Sequence, residues 1–192
     1  MSHHRLTTAT LAFALSGFSA AAIAHPGDAA HFIGGMLHPL AGLDHLLAAV
    51  AVGLWAARQG LRWLLPATFV LVMLLGIGLA DAGIHLLKVE AMIGISVLAL
   101  GLFLTQTARW PVAVSMLLVA VFALFHGYAH GTEMPQITWT SWPYIAGILL
   151  GTAGLHGLGV VSAAFIRSTV VWRSLGCILA SLPVLAWITA WA

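Results

Sequence analysis

Charge is what this chain of 192 residues has least of: seven Lys and Arg and five Asp and Glu, 6% together. With 61% hydrophobic residues and a mean hydropathy of +1.05, that scarcity excludes a water-soluble globule. The basic residues stand singly between apolar runs, so a pI near 9.2 marks no nucleic-acid patch. One cysteine, Cys177, rules out an intrachain disulfide and any cysteine-rich metal site, and within the last apolar run it reads as a small buried thiol. No G-x-x-x-x-G-K-[ST] segment is present, which removes an ATPase of that kind. Met73, Met92 and Met116 are scattered rather than striped, so a thioether copper pathway finds no support.

Histidine is what the chain has in excess, ten residues against twelve of all the charged types together. Residues 1–24 read as a secretory signal peptide: Arg5 in the n-region, a short apolar core from Leu11 to Phe18, and Ala22-Ile23-Ala24 as an A-x-A cleavage site. The mature chain, 25–192, would begin at His25 in a loop-like His-Pro-Gly, where the new α-amine and imidazole offer a second, less favoured, chelating pair. It is expected to be all-α and polytopic, with six membrane helices near 39–57, 61–80, 89–106, 110–129, 143–166 and 172–190. Eight tryptophans fall near the ends of these spans, as an aromatic belt should. Arg58, Arg62, Arg109, Arg167 and Arg173 cluster in loops one, three and five and their flanks, and Lys88 stands on the opposite side. By the positive-inside rule the amino terminus is then periplasmic and the protein sits in the bacterial inner membrane. Glycines inside the spans, Gly147-x-x-x-Gly151 among them, favour close helix packing. The His-bearing first spans of each half hint at an inverted duplication.

Ionisable groups inside a membrane span are costly and read as functional. Span one opens with His38-Pro39-Leu40-Ala41-Gly42-Leu43-Asp44-His45, and span four ends with His126, His130 and Glu133. His126 and His130, at i and i+4, share a helix face and can ligate one ion together. Both clusters lie at one level near the outer surface, with oxygen and imidazole ligands suited to a divalent transition metal. On a regular helix His38 and His45 would be roughly 10.5 Å apart along the axis, too far for one ion. His38 therefore reads as the first ligand an incoming ion meets, or as part of an unwound segment that Pro39 and Gly42 allow. His156, deep in span five, reads as a relay point or as a core histidine satisfied by a carbonyl. Asp81 and His85 repeat the i, i+4 spacing, but a solvated loop is the better reading there.

These residues carry a resemblance. The A-H-P-G start, H-P-L-A-G-L-D-H-L-L-A-A-V-A-V-G-L-W-A-A in span one, H-G-Y-A-H-G-T-E in span four and G-L-H-G-L-G in span five resemble the HupE/UreJ family. The resemblance implies uptake of nickel, in some members cobalt, for maturing hydrogenase and urease. It implies metal-handling roles for His38, Asp44 and His45 and for His126, His130 and Glu133. The wider nickel–cobalt transporter class has one residue fewer between its first His and Asp, so its geometry is not carried over. The expected protein is a permease rather than an enzyme. Its partners are the bilayer and Ni²⁺ or Co²⁺ as transported substrate, with no permanently bound cofactor, no nucleic acid, and a homo-oligomer left open. Two other classes stay in view: an intramembrane zinc-dependent hydrolase, for which Ser96, Ser115 and Ser162 are available but lie in no nucleophile motif, and a haem-bearing subunit with axial histidine pairs.

Overall fold

Residues 32–134, 138 and 141–190 are described by the structure, a computed structural model. The signal-peptide segment, His25, Trp139 and Trp191 lie outside them. Seven helices follow one another: α1 Phe32–Ala41, α2 Leu43–Gln59, α3 Leu64–Asp81, α4 Val89–Thr105, α5 Val112–Glu133, α6 Trp142–Ala163 and α7 Thr169–Ala190. No strand interrupts them among the described residues, as expected where apolar surroundings oblige each segment to satisfy its own backbone.

The first expected span, 39–57, is the one the structure redraws. Helix starts earlier, at Phe32, and breaks at Gly42, so that α1 and α2 meet at 90°. Pro39 inside α1 brings no N–H to the ladder, and Gly42 is extended at φ −94°, ψ 116°. From there α2 runs to Gly60, whose left-handed φ of 78° closes the helix, with Leu61 N–H donating to Ala56 C=O at 2.8 Å. Among the described residues α3, α5, α6 and α7 are long and apolar enough to cross a membrane, and α1 with α2 adds a fifth candidate if counted as one broken span. Helix α4 is as apolar but has 17 residues, a length of about 25 Å against a hydrocarbon core of about 30 Å. This is an all-helical membrane protein.

The main pairings are α3 with α5, α2 with α6, and α4 with α7, and α1 lies on α6. Exchanging α2, α3 and α4 for α5, α6 and α7 maps these three pairings onto themselves. Close approach at each seam depends on glycine. A Cβ on Gly127 would strike the Met73 backbone, and one on Gly159 the Val50 backbone; Gly147 and Gly151 do the same for α1. Gly78, Gly154 and Gly157 face open space, so helix packing does not explain them.

One end of the bundle is tied by side chains. Arg58 Nη1 donates to Leu104 C=O at 3.0 Å and its guanidinium lies 4.8 Å from the Trp172 ring centroid. Gln59 donates to Ala108 C=O at 3.2 Å while its carbonyl accepts Trp110 N–H at 2.9 Å. Trp55 is wholly buried here against Phe103 and Trp110. It belongs to the core, not to an aromatic belt, because α4 and the loop that follows it close over it. Cys177, read from sequence as buried, is exposed on α7, whose partner among the main pairings is α4 alone. The opposite end of the bundle carries the histidines.

Candidate metal centre

Five of the seven site residues expected from sequence converge at the histidine end from three directions. Helix α1 brings His38, α2 brings His45, and α5 brings His126, His130 and Glu133. The 90° break at Gly42 is what admits His38. It turns α1 back over the end of α5, so residues 95 apart in sequence meet: His38 Nε2 lies 2.7 Å from Glu133 Oε2. His38 itself stays within the helix of α1, so it is the break at Gly42, and not unwinding at His38, that brings it to the cluster. Helix α5 continues through Gly131 to Glu133, keeping that carboxylate on the helix and 3.6 Å from His130 Nδ1.

Ligand atoms of His38, His130 and Glu133 all lie within 4.8 Å of one another. Metal bonds of about 2.1 Å cannot span more than about 4.2 Å between two ligands, so a small side-chain adjustment would close this triad on an ion. Behind it, the rings of His45 and His130 are 4.5 Å apart and those of His45 and His126 5.0 Å.

Hydrogen bonds decide which nitrogen each ring offers. Asp44 Oδ1 accepts from His45 N–H at 2.8 Å and from His45 Nδ1 at 3.0 Å. His126 Nδ1 donates to Phe122 C=O at 2.9 Å, and His156 Nδ1 to Ala49 C=O at 2.7 Å. A carbonyl or carboxylate oxygen can only accept, so each Nδ1 carries the hydrogen and each Nε2 keeps a lone pair. Those three Nε2 atoms, and His130 Nδ1, are buried without a hydrogen-bond partner. Orphaned imidazole nitrogens facing one another are an arrangement that a cation would satisfy. Asp44 thus orients His45 from behind. His156 stands apart from the cluster, fully buried, with Phe69 stacked edge-on at 4.9 Å; the carbonyl bond foreseen for it is made, and its second nitrogen stays open.

An open cavity of about 530 Å³ lies over the cluster, lined by His38, Asp44, His45, His130, Glu133 and Glu90 with an apolar wall from α4 and α7. Glu90 escaped the sequence reading, which left it beside a solvated loop. The signal was there, an acid in the first turn of an apolar helix, the same criterion that singles out Asp44. Tyr144, edge-on to His38 at 5.8 Å, carried no such signal. Asp81 ends α3 and His85 lies in the loop after it, both exposed and outside this cavity, so their i, i+4 relation is broken. No serine lines the cavity, and Ser96 is occupied by a 2.6 Å bond to Ile93 C=O.

Known proteins extend the match beyond the motifs. The sequence model of the HupE / UreJ protein family matches residues 13–186. A curated relative, Protein HupE of Rhizobium leguminosarum bv. viciae, is 39% identical over 162 residues, covering 83% of each chain. No solved structure matches.

Proposed function

The chain belongs to the HupE/UreJ family, and from that premise we propose that it is a permease carrying Ni²⁺, or Co²⁺, inward across the bacterial inner membrane for metalloenzyme maturation. The observation that carries this reading is the set of orphaned, buried imidazole nitrogens facing one another beneath an open cavity. In this reading the bent α1–α2 pair is the first of six spans and the amino terminus is periplasmic. The histidine end faces outward and the arginine end the cytoplasm, in accord with the positive-inside rule.

An incoming ion sheds water to neutral imidazoles, because ligation needs the unprotonated nitrogen. Glu133 and Asp44 offset the dication's charge, which neutral rings alone cannot do. His156 is the next nitrogen along the chain of buried rings, reached past Phe69. Release inward requires each station to bind loosely enough to exchange, and protons competing for the imidazoles provide a route to coupling. The chain acts as a transporter, not an enzyme.

Uptake of radioactive nickel into cells, with cobalt as competitor, tests the proposal. His45→Ala should abolish accumulation, and Asp44→Ala should cut it about 10–100-fold, while the protein still inserts. Unchanged uptake at normal protein levels would refute it.

A further inference from the structure

Beside the open cavity lies a second, far smaller one of about 10 Å³, with space for roughly one water-sized body. Its lining includes His45, His126 and His130, together with Met73 and Thr152. His45 and His130 line both cavities and so form the partition between them. The ligand chemistry changes across that partition. Above it stands the Glu133 carboxylate with His38. Below it there is no carboxylate: the donors are orphaned imidazole nitrogens, the Met73 thioether and the Thr152 hydroxyl, which lies 4.0 Å from Met73 Sδ. Met73 and Thr152 are 1% and 3% exposed, and His126 is 2% exposed, so these lining residues lie in the protein interior. Its imidazoles are already held with Nε2 lone pairs free, by Asp44 behind His45 and Phe122 C=O behind His126.

We propose that this small, deep-lined cavity is a second metal station, distinct from the one at His38, His130 and Glu133. It holds a divalent transition-metal ion stripped of water through His45 and His126, with Met73 and Thr152 as its floor. The proposal rests on the permease reading and adds a place where selection occurs. Hard cations such as Mg²⁺ and Ca²⁺ seek several oxygen ligands, which the outer station supplies in part and the inner one does not. Imidazole and thioether suit borderline and softer metals. An ion therefore meets the carboxylate first and passes the partition only if nitrogen and sulfur can replace its water. Sequence spacing hid this role for Met73, because its partners come from α2, α5 and α6.

Equilibrium dialysis of the purified full-length protein in lipid nanodiscs against NiCl₂, counting metal per chain, tests it. Wild type should bind two ions. His38→Gln with Glu133→Gln should leave one, and that ion should survive a large excess of Mg²⁺. Met73→Leu with Thr152→Val, close in volume to the native pair, should keep the outer ion and weaken the inner one at least tenfold. His126→Gln, a separate change on another helix, should act on the same inner ion. One ion in wild type, weakened alike by every variant, overturns the second station and leaves the permease reading intact. No nickel bound by wild type, together with no cellular uptake, overturns both.

Discussion

Helix α2 carries two polar regions, one at each end, and the chain treats them oppositely. At the arginine end, Arg58 and Gln59 place their polar atoms on backbone groups of the α4–α5 connection and its flanks, with Gln59 bonded through both its amide atoms. At the histidine end, His45 uses only the nitrogen that Asp44 holds, and its other nitrogen joins one each on His126 and His130 left without partners. A buried polar group without a partner costs about 1–3 kcal/mol, so a cluster of three is a sizeable destabilisation. The arginine end has its own exceptions, the Trp55 indole N–H and the Ser115 hydroxyl, but they are single donors far apart in sequence rather than lone pairs gathered round one space. The difference teaches that satisfied polar groups mark where this bundle is fastened, and converging unsatisfied ones mark where, on the permease reading, a cation would bind.

The comparison is broken most severely at His130, which lines both cavities. His130→Ala should lower nickel accumulation by about 100-fold or more, since loss of mere supporting groups already costs about 10–100-fold. Uptake near wild type would show that the unsatisfied cluster is not the ion's path. Next in size, Asp44→Ala frees the His45 ring to take either tautomer, and nickel affinity in dialysis should fall about 10–100-fold. Asp44→Asn keeps an oxygen for the His45 N–H and should lose less; equal losses would mean that charge alone matters.

At the fastened end the expected effect is on stability and not on metal. Gln59→Ala removes the bonds to Ala108 C=O and Trp110 N–H, so thermal unfolding should reveal a loss of about 0.5–1.5 kcal/mol per bond with nickel affinity unchanged. A fall in affinity would mean that the two ends are coupled. Smallest of all, Gly157→Ala beside the buried His156 should be nearly silent, because a methyl there meets nothing within 4 Å and alanine suits a helix better by up to about 1 kcal/mol. A marked loss of folding at that position would place a neighbour where the structure has open space.

Much of this was legible in the chain. Hydropathy located α3 to α7 to within a few residues, and the i, i+4 spacing of His126 and His130 survives as a shared face. Gly147 and Gly151 do pack a neighbour, but it is α1, a helix whose first half the span assignment omitted. In the sequence Glu133 stands between Gly131 and Pro135, which suit a loop as well as a helix; the helix runs on because α3 packs against Gly131 and supports it. Met73 carried no local signal at all.

By itself, the sequence determined that this is an all-helical membrane protein with imidazoles and acids gathered at span ends. Those are properties of composition and short-range periodicity, and neighbours in the chain suffice to set them. Only the tertiary structure decided that His38 and Glu133 meet across 95 residues, that Asp44 sits behind His45, and that a thioether closes the floor beneath. Those depend on a 90° turn at Gly42 and on helices brought to backbone contact by glycines far apart in sequence, which no local pattern encodes.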